Sequence, residues 1–307
     1  MTPRVPDRAS ERRLDELRAE AERMGRVGGA GVRPLGAPFP QPVEQTDYYG
    51  LPLLKEPVWT PEIPLYFFVG GAAGASAMLA FAARLAGSDA ATVRDARGIA
   101  AIGAALSAPL LIADLGRPGR FLHMLRVFKP QSAMSVGAWA LAGFGACSTT
   151  AVLGPKAVRD VAAAGSAFFG LVMSTYTGVL LGATAIPAWN KHAATLPVHF
   201  AASALASATS LLELRDHDEP ALNALAALAA AFETWTGFQL ERKTKPSPAM
   251  RTAGVLSGPV PLALRLIGMK SKKARRVAAA ITIAGSLVTR FAWVEAGKKS
   301  AAQAMRS

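Results

Sequence analysis

The residues of this sequence best suited to chemistry lie in a polar, arginine-rich stretch between two long apolar runs. Asp114 closes the first run, Arg117 and His123 follow in the turn, and Ser135 and Trp139 stand where the next run begins. A carboxylate, a guanidinium and an imidazole gathered at one membrane–water boundary either anchor helices or handle a charged or redox-active ligand. We interpret this stretch as part of a site for a redox-active ligand.

A quinone is the ligand that these side chains suit best. Its head group needs a hydrogen-bonding partner at each carbonyl oxygen and a nearby proton relay, and carboxylates, His and Tyr supply both. Glu62 begins another apolar run at the same boundary as Asp114, so a second carboxylate is expected there. The alternative is that Asp114 and Arg117 only pair with each other to fix the turn before Pro118.

Further polar side chains lie inside the apolar runs, where their burial is costly. Glu233 and Arg290 are both expected roughly 9 Å below the same boundary, where they form an ion pair between two helices or relay protons. Tyr176 is expected well inside the bilayer, where a phenol usually satisfies its hydroxyl on a neighbouring helix. His199 is expected to contact a quinone or to cap its helix.

The composition indicates a polytopic helical membrane protein rather than a soluble one. Of the 307 residues, 51% are hydrophobic and 18% charged, with a mean hydropathy of +0.26, whereas soluble domains carry about 25% charged residues. The net charge of +13 comes from Lys and Arg in loops and tails, unlike a nucleic-acid-binding groove. With the single cysteine Cys147 and only His199 inside a run, neither an iron–sulfur cluster, a zinc site nor a haem is expected in this chain.

Eight apolar runs predict an all-α integral membrane protein with eight transmembrane helices, each near the ~20 residues that cross a bilayer. The chain would divide into a polar N-terminal arm (1–56), an eight-helix domain (57–301) and a short tail (302–307). Within the arm, 8–24 is rich in helix formers and would dock on a partner or remain disordered. The eight runs are 62–85, 96–115, 134–153, 161–186, 196–214, 221–240, 251–268 and 274–296.

Eight crossings would place both termini at one end of the bundle, here called the first end; the opposite end is called the far end. Four of the five tryptophans are expected at or near the first end, which indicates that something besides lipid needs flat rings there. Basic loop residues are nearly balanced between the ends and only slightly favour a cytoplasmic far end. The seventh run is broken by Gly258, Pro259 and Pro261, and predicts a kinked span or a re-entrant segment. Small-residue runs at 70–76 and 178–182 predict close helix packing.

Several motifs together resemble the NrfD/PsrC family of membrane subunits found in polysulfide-reductase-type and related molybdopterin oxidoreductase complexes. The most specific is DLGRP followed by a K-P-x-S-x-M-S-x-G-x-W run. The resemblance spans about residues 48–301, nearly the whole membrane part, and leaves residues 1–47 of the N-terminal arm outside. The matching pieces are EIPLYFFVGGAAGAS (62–76), ADLGRPGRF (113–121), HMLRVFKPQSAMSVGAW (123–139), YTGVLLG (176–182) and WVEAGKKSA (293–301).

The resemblance implies an eight-helix subunit with no metal of its own and a menaquinone or ubiquinone pocket at the first end, between helices 1–4. It implies a ferredoxin-like 4Fe–4S subunit there, passing electrons to a molybdopterin catalytic subunit of formate dehydrogenase or polysulfide reductase type. It also implies the bacterial cytoplasmic (inner) membrane and a role in anaerobic or formate respiration. Tyr176 matches the family's YTG tyrosine, which resembles a quinone ligand, and Asp114 matches DLGRP. Glu62 and Tyr66 fall in the matching region, where no quinone-binding Asn or His aligns.

We therefore expect quinone chemistry only within a complex, with lipid around the chain and no nucleic acid bound to it. Asp114, Tyr176 and His123 are the predicted catalytic residues, and Glu233 with Arg290 the predicted proton relay. Two alternatives stay open: a secondary transporter, although no internal repeat is evident, and a passive anchor without a quinone pocket. The predicted quinone contacts are Glu62, Tyr66, Asp114, Arg117, Ser135, Trp139, Tyr176 and His199.

Overall fold

The computed structural model describes residues 57–115, 119–243, 247–268 and 271–304, together with Glu16, Ala19, Glu20 and Arg23. Arg117 and nearly all of the N-terminal arm lie outside the described residues, so the predictions for them stay predictions. The described residues from 57 onward form helices joined by loops. Its helices are α1 Glu62–Ala86, α2 Ala90–Asp114, α3 Gly119–Met124, α4 Ala133–Leu153, α5 Lys156–Gly182, α6 Pro187–Asn190, α7 Thr195–Leu214, α8 Pro220–Lys243, α9 Pro248–Ser257, α10 Pro259–Ile267 and α11 Lys272–Ala304.

Among the described residues, six helices are long and apolar enough to cross a membrane: α1, α2, α4, α5, α7 and α11. They correspond to six of the eight predicted runs, and α11 continues beyond its run to Ala304. The sixth run forms α8, which has 24 residues but is less apolar, because it carries Asn223, Glu233 and Glu241. The seventh run forms the two short helices α9 and α10. The chain is therefore a multi-pass helical membrane protein, and the count of eight transmembrane helices stays a prediction.

The break between α9 and α10 lies at Gly258, directly before Pro259. Proline lacks a backbone N–H and disfavours the helical conformation of the residue before it, and Gly258 accordingly has φ −114° and ψ −81°. A Cβ at Gly258 would lie 2.8 Å from the Thr234 hydroxyl of α8. The break thus packs tightly into the bundle, where only glycine fits.

The α9–α10 pair extends along the bundle from one end to the other. Met250 in α9 packs against the core cluster that contains Leu240 and Trp293, near the first end. Arg265 in α10 contacts Glu213, at the far end of α7. This path favours a kinked span over a re-entrant segment.

Helix α1 is central in the bundle and packs against α2, α5, α7 and α11. Its small-residue run allows the backbones to touch, because a Cβ at Gly74 or at Gly170 of α5 would collide with the other glycine's carbonyl oxygen. In the second run, a Cβ at Gly178 would collide with the α7 backbone at Leu196 and Pro197. Both small-residue runs therefore serve close helix packing, as predicted.

At each end of the bundle, contacts join the helix ends that the sequence places there. At the first end, Thr60 bonds to Asp114 at the close of α2, and Lys298 near the close of α11 donates to the Trp59 carbonyl at 2.6 Å. At the far end, Arg84 pairs with Asp160. The helices thus alternate in direction as the sequence predicts.

Candidate functional site

At the first end, Asp114 joins the close of α2 to the start of α1. Its Oδ1 accepts a hydrogen bond from the Thr60 backbone N–H at 2.9 Å and another from the Thr60 hydroxyl at 2.7 Å. A carboxylate near a helix N-terminus satisfies donors that the helix cannot. Asp114 therefore fixes the point where the chain enters α1, two residues before Glu62. Its predicted pairing with Arg117 stays a prediction.

Below this junction, α1 carries two buried polar atoms with no hydrogen-bond partner among the described residues, Glu62 Oε2 and the Tyr66 hydroxyl. The two residues are four apart, so they lie on the same face of α1, about 6 Å from each other along the axis. The Tyr66 side chain is fully buried. Two adjacent orphaned polar atoms in a membrane bundle mark a place that a ligand can complete.

The phenol of Tyr176 in α5 lies beside this pair, and its hydroxyl interacts with the Tyr66 hydroxyl without a well-formed hydrogen bond. The Tyr176 and Tyr66 ring centroids are 6.5 Å apart with the rings inclined at 62°, an edge-to-face contact. Tyr176 is buried as well. The structure thus brings together Glu62, Tyr66 and Tyr176, three of the residues that the sequence singled out.

Two residues of this region were missed by sequence reasoning. Gly137 in α4 makes room for Tyr176, because a Cβ there would overlap the Tyr176 ring and hydroxyl. The Thr177 hydroxyl is buried without a hydrogen-bond partner among the described residues. Both residues lie in motifs that the sequence shows: Gly137 is the glycine of the S-x-G-x-W run, and Thr177 is the threonine of the YTG motif.

Tryptophans at the first end pack mainly on one another. The rings of Trp59 and Trp189 are stacked with centroids 5.2 Å apart, and Trp189 Nε1 donates to the Trp293 carbonyl at 2.7 Å. Trp189 and Trp293 are buried, whereas Trp235 is exposed and contacts Phe232. The predicted concentration of rings is thus largely a packing cluster that joins α1, α6 and α11.

The residues of the α3–α4 connection do not join the tyrosines. His123 is exposed and, with Ser135, lines a separate cavity of about 350 Å³. The Ser135 hydroxyl accepts from the Lys129 N–H at 3.0 Å and so holds the connecting loop. Trp139 is 40% exposed and packs its ring against Phe128. In this structure Ser135 and Trp139 shape the loop and the outer surface of the bundle.

His199 lies in a different part of the bundle. It is buried, and its Nδ1 is 2.9 Å from the Thr236 hydroxyl of α8. The alternative that it caps its helix is wrong, because Ala194 occupies the N-cap of α7 and His199 bonds across to α8. It also lines a small apolar cavity with Met250 and Trp293.

Glu233 and Arg290 are both buried and attract each other electrostatically, but among the described residues they form no direct ion pair within 4 Å. The Glu233 carboxylate lies near the Ser203 and Ser257 hydroxyls without a well-formed hydrogen bond, and Nε and Nη1 of Arg290 have no hydrogen-bond partner among the described residues. Arg290 instead donates to the Phe200 carbonyl at 3.0 Å and lies 3.8 Å above the Phe200 ring, so a cation–π contact stabilises it. The hydrogen bond and the ring contact of Arg290 are thus made with Phe200 of α7 rather than with Glu233 of α8.

Comparison with protein families agrees with this architecture. In the described part of the chain no three His, Cys, Asp or Glu side chains form a metal-binding group. No curated protein matches the chain. A family model, NrfD_2, described as polysulfide reductase, matches residues 45–304, which is most of the chain. The sequence resemblance is thereby confirmed, and this multi-pass membrane protein belongs to the NrfD-type polysulfide reductase family, a family of membrane subunits of redox complexes.

Proposed function

We propose that this chain is the quinone-reactive subunit of its redox complex. It would exchange electrons between menaquinone or ubiquinone and a 4Fe–4S subunit linked to a molybdopterin catalytic subunit. The observation that carries the proposal is the pair of orphaned atoms, Glu62 Oε2 and the Tyr66 hydroxyl, beside Tyr176 at the first end. The family membership supports the setting, a complex in the bacterial inner membrane.

The Tyr66 side chain is fully buried, and its hydroxyl lacks a well-formed hydrogen bond. A buried polar atom without a partner costs about 1–3 kcal/mol. Phenylalanine at position 66 would avoid this cost with nearly the same ring packing. A phenol kept there in spite of the cost is explained when a ligand with carbonyl oxygens completes its hydrogen bond.

The chain's own residues divide the work by position. The Tyr66 and Tyr176 hydroxyls would donate hydrogen bonds to the head group, and the Gly137 gap keeps the Tyr176 ring in place. Glu62, in the first turn of α1, would pass protons between the head group and water at the first end. Asp114 would position α1 through Thr60. The quinone itself supplies the two-electron, two-proton chemistry.

Glu233 and Arg290 keep their proposed role as a proton relay. Their side chains are buried between α7, α8 and α11 and attract each other. The broken helix packs beside them, since Gly258 lies against Thr234. With α8 and the α9–α10 pair counted as crossings, the bundle would have eight. Its first end would then carry the iron–sulfur partner next to the quinone head, with the N-terminal arm as a docking segment.

A secondary transporter is the rival function. Transporters place substrates beside broken helices and buried charges, and the α9–α10 break beside Glu233 has this form. Substrate uptake by the isolated chain in liposomes would support it. A passive anchor would show neither uptake nor quinone turnover.

The test compares turnover of the intact complex with variants that remove single polar groups. Tyr176→Phe and Glu62→Gln are expected to lower quinone turnover about tenfold or more, because each removes a hydrogen bond or proton donor. Thr175→Val is the matched control. Thr175 neighbours Tyr176 in sequence, but its hydroxyl bonds to the Leu171 carbonyl of its own helix. Wild-type turnover in both test variants, with the complex assembled, would contradict the proposal.

A further inference from the structure

At the far end, arginines line a cavity of about 510 Å³ that the quinone chemistry does not use. Arg84, at the close of α1, and Arg94 and Arg97, in the first turns of α2, form one side. Arg159, in the first turn of α5, and Val152, at the close of α4, form the other. The cavity therefore lies where four spans end, at the level of the membrane–water boundary.

Carboxylates do not balance these arginines. Arg84 and Arg97 share the single carboxylate of Asp160, at 3.2 and 3.3 Å. Arg94 lies 3.5 Å from Asp95, which is already bound by Arg215 at 2.7 Å.

The remaining guanidinium groups reinforce this excess. Arg159 donates to the Gly154 carbonyl at 2.6 Å, a neutral acceptor. The Nε of Arg97 is buried without a partner among the described residues. The nearby Asp89 is exposed and does not line the cavity. Of the four guanidinium groups that line the cavity, three share two carboxylates, one of which also binds Arg215, and the fourth has none. Donors are therefore left for an anion.

Exposed apolar side chains lie next to the cavity. Leu85 and Leu153, next in sequence to lining residues, are 72% and 77% exposed on the outer surface, as expected for side chains that face lipid. Arg97 and Ala151 also border a narrower cavity that leads inward between helices past Ser148 and Ala77. An occupant that satisfies both the arginines and the apolar rim must have an anionic head and hydrocarbon tails.

We propose that this cavity binds the phosphate head group of an anionic phospholipid. Guanidinium forks match phosphate oxygens with two parallel hydrogen bonds, and basic pockets between membrane helices bind such head groups. The size of the cavity falls in the range of small-molecule sites and exceeds what a single inorganic anion fills. Bound there, the lipid would join the α1–α2 and α4–α5 turns.

Native mass spectrometry of the purified full-length protein, delipidated in detergent, tests the proposal. Phosphatidylglycerol is expected to bind, whereas phosphatidylcholine and inorganic phosphate at equal concentration are not. In a separate thermal-unfolding assay, phosphatidylglycerol alone is expected to raise the unfolding temperature. The variant Arg94→Gln/Arg97→Gln is expected to bind phosphatidylglycerol at least ~10-fold more weakly, at about 1 kcal/mol per basic residue. The charge-matched control is Lys272→Gln/Arg276→Gln, which alters exposed cations of the same end outside this cavity.

Equal binding of phosphatidylglycerol by the test variant and the control, or equal binding of the charged and neutral lipids, would overturn the proposal. Displacement of the lipid by inorganic phosphate would assign the cavity to a free anion instead. If Arg94→Gln/Arg97→Gln fails to fold, Arg94→Lys/Arg97→Lys retains the charge but loses the forked geometry, and reduced lipid binding is expected there too.

Discussion

The two ends of the helical bundle differ in how their polar groups connect the helices. At the far end ion pairs join neighbouring segments: Arg265 with Glu213 at 2.7 Å, Arg84 with Asp160, and Arg275 with Asp218. At the first end, stacked tryptophans make the contacts between helices, while Glu62 Oε2 and the Tyr66 hydroxyl are left without partners among the described residues.

This difference separates a buried ion pair that serves stability, Arg265 with Glu213, from polar atoms at the first end that a ligand can complete. Breaking a buried ion pair in a low-dielectric interior is expensive, so the buried Arg265–Glu213 pair locks the far end. Unpartnered groups cost free energy, and selection keeps them where they have another use. The aromatic packing at the first end offsets that cost and holds the tyrosines in place.

The largest effect is expected from the far end. Arg265 and Glu213 are only 4% and 3% exposed, so Arg265→Met leaves a buried carboxylate unpaired and should lower the free energy of unfolding by about 3–5 kcal/mol. Denaturant or thermal unfolding in detergent measures it. Adding Glu213→Leu should restore much of the loss. A single variant as stable as wild type would show that this pair does not lock the far end.

The next effect concerns the space around Tyr176. Gly137→Ala places a methyl group where the Tyr176 ring lies, so it should cost about 1–3 kcal/mol by overpacking and lower quinone turnover by displacing the phenol. Gly145→Ala in the same helix is the control, because a Cβ there meets no atom within 4 Å. Equal turnover in the two variants would show that the position of Tyr176 is unimportant.

Tyr66→Phe should separate stability from function. It removes an orphaned hydroxyl and keeps the ring, so the unfolding temperature should stay the same or rise. Quinone turnover of the complex should fall about tenfold, the effect of losing one hydrogen bond of ~1.4 kcal/mol. If the unfolding temperature falls and turnover does not change, the hydroxyl is a structural group and the contrast between the ends fails.

The smallest effect is expected at Asp218, in the exposed α7–α8 turn. A hydrogen bond from Asn223, with the nearby cations Arg275 and Lys272, holds the pKa of Asp218 below its ordinary value. A lowered pKa in the folded state stabilises the fold above the unfolded-state pKa and ceases to do so as pH falls through the folded-state pKa. Asp218→Asn should therefore lower the unfolding temperature slightly at pH 7, and the difference should vanish in acid. An equal difference at both pH values would contradict this origin.

The sequence predicted which segments are helical, because apolar runs are local features. It did not predict which side chains of neighbouring helices contact each other. Hydropathy is nearly uniform around these Ala- and Gly-rich helices, so the rotation that turns His199 toward Thr236, and Arg290 toward Phe200 rather than Glu233, depends on long-range packing. For the same reason Thr60 went unnoticed as the partner of Asp114.

The far end shows the same division between local and long-range information. Arg84, Arg94, Arg97 and Arg159 look like ordinary loop cations in the sequence, spread over three separate helix ends. Only the antiparallel arrangement of α1, α2, α4 and α5 brings them around one cavity. Charge at a loop is thus predictable, whereas its convergence on a site is not.

The central claim is tested most directly by finding where a quinone binds. A photoreactive quinone analogue, cross-linked to the intact complex and mapped by peptide mass spectrometry, should label the start of α1 around Glu62 and Tyr66 and the α5 segment around Tyr176. Excess native quinone should abolish the labelling. Competable labelling confined to the far end, or to the His199 cavity between α7, α8 and α11, would contradict the account.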